Sequence, residues 1–246
     1  MEWWYFPLLA VIGIAVGFLN VMAGGGSLIS MPILIFLGLE PAVANGTNRV
    51  AILIQNIAAV SSFRSHGYSE VRRSVGLALC TVPGAVAGAF AAVVVDPALF
   101  KRILGLVLVA AVILILRRKP PEDGREGGTG RPVAAHMAMV GVGFWGGFLQ
   151  AGVGFLIMPV LYQLLRLDLV RVNMHKVFIV GVYTIPALLV FAAQGKVWWL
   201  GGLALATGNA AGARIATRVT ITHGEGAVRG VFVAAVIAMG LKLIFG

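Results

Sequence analysis

Residues 23–32 read Ala23-Gly24-Gly25-Gly26-Ser27-Leu28-Ile29-Ser30-Met31-Pro32, and a second copy starts 128 residues later as Ala151-Gly152-Val153-Gly154-Phe155-Leu156. In each copy a proline follows (Pro32, Pro159), and an asparagine lies nineteen residues after the last glycine (Asn45, Asn173). The pairs Leu28/Leu156, Ile29/Ile157, Leu37/Leu165, Leu39/Leu167, Ala59/Ala187 and Phe63/Phe191 keep the same offset. Both copies interrupt apolar runs. A Gly break in an apolar run, present in both halves of a chain, points to a site between two membrane repeats.

Composition supports a membrane protein. The chain is 59% hydrophobic and 11% charged, and its mean hydropathy is +0.96. A soluble domain is about 25% charged. The net charge of +10 does not point to nucleic acid, because the basic residues stand at the ends of apolar spans. The single cysteine, Cys80, lies in an apolar run and rules out a disulfide framework. Met1-Glu2-Trp3-Trp4-Tyr5 enters the first span without a basic n-region, which argues against a cleaved signal, and its aromatics fit an interfacial belt.

Apolar runs suited to helices are 4–22, 28–38, 47–63, 74–95 and 98–117, then 134–150, 155–165, 174–194, 197–218 and 227–245. A full crossing takes about 20 residues. Runs 28–38 and 155–165 are half-helices or short tilted spans. The expectation is an all-α polytopic membrane protein of two inverted repeats, 1–117 and 134–246, each with about five helical segments. A polar linker, 118–133, separates them and carries Pro120, Pro121 and four glycines. Basic loops at 64–73, 117–131, 166–171 and 214–229 all fall in the cytoplasm if the N-terminus is outside. An odd number of crossings per half then inverts the second repeat.

Three groups of residues could bind a ligand. Gly24, Gly25, Gly26 and Ser27, with Gly152 and Gly154, place helix N-termini inside the protein, where N–H groups favour an anion; the alternative is close helix packing. Asn45, Thr47, Asn48 and Arg49 open the third run, and Asn173, His175 and Lys176 open its counterpart. They offer amides and a cation to an anion; capping and snorkelling are the alternatives. Gln55 and Gln150 are polar within apolar runs and should face the bundle or a wet cavity, as should Asn56 and Asn209. Gly84-x-x-x-Gly88 and Gly208-x-x-x-Gly212 read as packing faces, with Pro83 and Pro186 as kinks. All nine acids lie in loops or at helix ends, and the four histidines are scattered. Nothing here predicts an enzyme, a metal site or a cofactor.

Residues 23–32, with Ala44-Asn45-Gly46-Thr47-Asn48-Arg49, resemble the signature of the TauE/SafE sulfite exporter family. The second half is similar in order through Gly143–Gly147, Ala151–Phe155, Leu167-Asp168, Asn173–Lys176 and Gly212–Arg214. It departs at Val153, where family members usually carry a third glycine, and at Met174-His175, where they usually carry Ala-Thr. The resemblance covers essentially the whole chain. It implies a multi-pass permease of the bacterial inner membrane for sulfite or small organosulfonates, with the lipid bilayer and the anion as partners. A channel or importer for another small solute, and a non-transporting subunit, are the other readings. Oligomeric state stays open, a homodimer being one option.

Overall fold

The protein, described as a computed structural model, is all-helical over the described residues 3–117 and 131–223; side chains of 114–117 and 223 are outside the description. The helices are α1 (Tyr5–Ala23), α2 (Ser27–Phe36), α3 (Pro41–Ser65), α4 (Val71–Val94), α5 (Pro97–Arg117), α6 (Pro132–Phe148), α7 (Val153–Pro159), α8 (Leu169–Ala193) and α9 (Trp199–His223). After α7 the chain continues as one π-helical stretch, Val160–Leu164. Pro159 lies at that junction, where it cannot donate the ordinary helical bond. The expected run 227–245 and most of the linker 118–133 lie outside the described residues.

Helices α1, α4 and α8 are each long and apolar enough to cross a membrane; Ser27–Phe36 and Val153–Leu164 are shorter apolar helices. Large apolar side chains such as Val11, Leu79, Phe90, Leu106, Leu189 and Leu203 remain exposed. For a chain in lipid that surface is the solvent-facing one.

Two boundaries differ from the sequence expectation, and the difference changes the site. Helix α3 begins at Pro41 rather than at 47, with proline in its first turn after extended Glu40. A proline there has no helical bond to lose and its φ is already helical. Helix α8 begins at Leu169 rather than 174, because the Asp168 side chain caps it by accepting from Arg171 N–H at 2.9 Å. Asn45–Arg49 and Asn173–Lys176 therefore lie inside helices and do not open them.

The largest helix interfaces are α1 with α9, α4 with α6, α3 with α9, α4 with α8, and α3 with α8, each joining the two halves of the chain. Shifting by the sequence offset carries α1 to α6, α3 to α8 and α4 to α9. The same shift exchanges the first interface with the second, and the third with the fourth. Glycines make these crossings close. A Cβ at Gly208 or Gly212 would lie 1.8 Å from Ala10 O or 2.0 Å from Ile14 O, and one at Gly84 or Gly88 would lie 2.1 Å from Val140 O or Phe144 O. The two small-residue faces therefore serve backbone-to-backbone packing.

Candidate functional site

The two glycine breaks meet. Gly24 ends α1 in the left-handed region, φ +71°. Gly154 N–H donates to Gly24 O at 3.3 Å, and a Cβ at Gly154 would lie 2.2 Å from Gly24 Cα. Only two glycines allow that approach. Beside them, Gln150 is one of two described non-glycine residues with positive φ, at 63°.

The helix starts at these breaks do not present free N–H groups in the way the sequence suggests. Ser27 N–H donates to Asn20 Oδ1 at 3.1 Å. Gly154 N–H is taken by Gly24 O, and Phe155 N–H by Gly152 O at 2.9 Å. Ser27 is not the N-cap; Gly26 holds that position. The Ser27 hydroxyl instead accepts from Asn48 Nδ2 at 3.3 Å, while Ser30 Oγ donates to Asn48 Oδ1 at 2.7 Å. Asn48 thus ties α3 to α2. The correction has a plain cause: burying a donor without an acceptor is costly, and tertiary contacts supplied acceptors.

A small cavity of ≈ 20 Å³ opens beside the crossing. That is room for on the order of one or two waters, so an anion of several atoms requires its walls to part. Of the predicted residues, Gly24, Ser27, Gln55, Gln150, Gly154 and Lys176 line it. Asn20 and Asn56 join them, with an apolar remainder that includes Ile52, Val153 and Val177. Asn20 is not among the site residues expected from sequence. It stands near the end of the first apolar run, where a polar residue reads as the edge of a span. The rule that singled out Gln55 applies to it equally.

The other predicted residues are placed elsewhere. Asn45 Nδ2 donates to Phe148 O at 2.7 Å. Thr47 Oγ1 accepts from Trp198 N–H at 2.9 Å. His175 Nδ1 and Ser74 Oγ are 2.8 Å apart, and His175 Nε2 lies 3.4 Å from Glu70 Oε2. Positions 47 and 175 correspond by the repeat offset, and each contacts the segment at the start of the next long helix in the other half. Gly25 and Gly26 lie within the α1–α2 turn, and Gly152 (φ +71°) is the N-cap of α7.

The cations compensate two helix ends. Arg49 is 0% exposed and Lys176 2%. Arg49 Nη2 donates to Gly147 O in the last turn of α6, and Nη1 donates to Gln150 Oε1 at 3.3 Å. Its guanidinium carbon sits 4.8 Å from the Phe191 ring centroid. Lys176 Nζ donates to Val21 O in the last turn of α1 at 2.7 Å and to Asn173 Oδ1. Each interrupted helix therefore receives, on its negative C-terminal end, a cation from the other half. Neither cation stands at a helix start, where it would oppose the dipole, because α3 begins at Pro41 and α8 at Leu169. Among the described residues, Arg49 Nε and Asn173 Nδ2 are buried without a hydrogen-bond partner. Among the described residues no aspartate or glutamate is buried; Glu40 pairs with Lys196 at 2.9 Å, and Glu70 and Asp168 pair with Arg171, in more exposed positions.

Comparison with known proteins adds a family to this geometry. A family model described as sulfite exporter TauE/SafE matches residues 9–243. The chain is similar to the probable membrane transporter protein ORF9 of Sinorhizobium sp, 27% identical over 97% of this chain and 93% of the relative. It is also similar to the probable membrane transporter protein YfcA of Escherichia coli K12, 26% identical over 97% of this chain and 89% of the relative. A probable membrane transporter protein of Haemophilus influenzae is 23% identical over 97% and 94% of the two chains. No solved structure matches. With the family model spanning nearly the whole chain, this helical membrane protein belongs to the sulfite exporter TauE/SafE family of membrane transporters.

Proposed function

We propose that the chain is a permease of the bacterial inner membrane that exports a small sulfur-containing anion, sulfite or an organosulfonate, through a site between its two broken helices. One observation carries the anionic part: two cationic side chains, Arg49 and Lys176, are buried beside the crossing of the glycine breaks, and Lys176 lines its cavity. A buried cation is costly in a low-dielectric interior, and a bound anion would favour it. The family description supplies the sulfur chemistry. In this reading the N-terminus is outside and the second repeat is inverted relative to the first.

Energetics suit export. An anion leaving a cell that is negative inside gains about 2.3 kcal/mol per charge per 100 mV. Such a flux needs no coupling carboxylate. Lys176 meets the anion directly because it lines the cavity. Arg49 acts one step back, through the Gln150 amide it holds. Purified protein in proteoliposomes provides the test. Sulfite efflux should saturate, should rise with an inside-negative potential, and should be accelerated by sulfite on the opposite side. Flux that neither saturates nor shows this trans-stimulation would mark a channel. A thermal-shift panel of sulfite, sulfate, thiosulfate, taurine, isethionate and sulfoacetate identifies the substrate; no shift with any of them overturns the sulfur-anion reading.

A further inference from the structure

A backbone N–H can only donate, and that fact fixes the orientation of the Asn20 amide and, through it, of Gln55. Ser27 N–H points at the Asn20 side chain, 3.1 Å away. The atom it meets must be the oxygen, Oδ1. The NH2 of Asn20 is then the end that faces Gln55, and it donates to Gln55 Oε1 at 2.9 Å. Asn209 Nδ2 donates to the same oxygen at 3.2 Å. With its oxygen claimed twice, Gln55 has only its NH2 left to offer. Gln55 lines the cavity beside the meeting point of the glycine breaks.

We propose that Asn20 and Asn209 are positioning residues that hold Gln55 with its amide NH2 toward the transported anion. This rests on the anion reading above and deepens it. Reversing Gln55 would set its NH2 against the Asn20 NH2, whose direction Ser27 N–H fixes, and aim lone pairs at the anion, so Asn20 sets the orientation and Asn209 adds a second donor to the same oxygen. The glycine motif contributes by geometry. Gly24 turns the chain so that Ser27 N–H comes back over α1. Gly26 leaves room for Asn20: a Cβ there would lie 2.6 Å from Asn20 Cγ. Gly17 lets the Asn209 backbone press against α1, since a Cβ at Gly17 would lie 2.2 Å from Asn209 O. The donor character of the helix start thus reaches the cavity through Asn20 and Gln55, although Ser27 N–H itself is occupied.

A double-mutant cycle on the full-length protein tests this. The variants are Asn20→Leu, Gln55→Met and the two combined, and the probes are sulfite, isethionate and nitrate. Dissociation constants and melting temperatures are measured in parallel. Gln55→Met should weaken binding by ~10-fold or more, the loss expected for one hydrogen bond to a charged ligand. Asn20→Leu should weaken it comparably, and the double variant should bind no worse than Gln55→Met. If Asn20→Leu is not recovered folded, Asn209→Leu completes the same cycle. Effects that multiply in the double variant would overturn the inference, as would an Asn20→Leu protein that melts earlier and binds normally. Wild-type protein that binds none of the probes would overturn the anion reading itself, and this inference with it.

Discussion

Gly154→Ala is a demanding perturbation of the site, because one methyl group would have to enter a backbone-to-backbone contact. A Cβ at Gly154 would lie 2.2 Å from Gly24 Cα and 2.7 Å from Gly24 O. Ordinary contact between carbons is about 3.5–4.0 Å. Neither neighbour is the end of a flexible side chain, so the two breaks must separate by more than about 1 Å. Overpacking of this kind costs about 1–3 kcal/mol, and losing the Gly154 N–H bond to Gly24 O adds about 1 kcal/mol. The expected total is about 3 kcal/mol, a fall of roughly 6–12 °C in melting temperature for a chain of this size. Gly152→Ala is the control. Its φ of +71° penalises alanine, but the nearest atom to a Cβ there is 3.6 Å away. Only the left-handed strain of ~1–2 kcal/mol remains. Gly38, at φ +90° with nothing within 4 Å, is a second control of the same kind. Thermal unfolding of the three variants in one detergent decides the matter. A Gly154→Ala protein as stable as Gly152→Ala would refute the contact between the two breaks.

Other outcomes follow from the placement of the cations and the packing glycines. Lys176→Gln should weaken sulfite affinity ~10-fold or more. Arg49→Gln should mainly lower stability, since it leaves Gly147 O and Gln150 Oε1 without their donor, at about 1–3 kcal/mol each; unchanged melting with lost affinity would contradict its seat on α6. Gly208→Leu should abolish the folded yield, because even its Cβ would lie 1.8 Å from Ala10 O; normal yield would disprove the α1–α9 crossing. A reporter fused to the C-terminus should be active outside the cytoplasm, and activity confined to the cytoplasm would end both the N-out topology and the inverted repeat.

Much of the candidate site is legible in the sequence because breaks and polar residues in apolar runs are local signals. Gly24, Gly154, Gln55, Gln150 and Lys176 stand out that way, and they share one cavity. Helix starts are less legible. Pro41 and Asp168 are sound start signals, but each precedes polar residues that look like a loop in a hydropathy reading. The direction of a side chain is not legible at all. Thr47 and His175 stand close to Arg49 and Lys176 in sequence, yet on a helix residues one position apart point about 100° apart and residues two positions apart about 160°. They reach Trp198 and Ser74 instead.

By itself, the sequence determined the class of this protein. Apolar runs of membrane length, basic loops, two matched glycine breaks and two small-residue faces are properties of short segments, and each acts through hydropathy or backbone freedom within a few residues. Tertiary structure alone decided how the polar groups are satisfied. Arg49 meets Gly147 and Lys176 meets Val21 because helices from opposite halves cross there. Ser27 N–H is occupied, and Gln55 oriented, because Asn20 and Asn209 converge from α1 and α9. A buried hydrogen bond depends on ångström-scale apposition of groups far apart in the chain, and no local pattern encodes that distance.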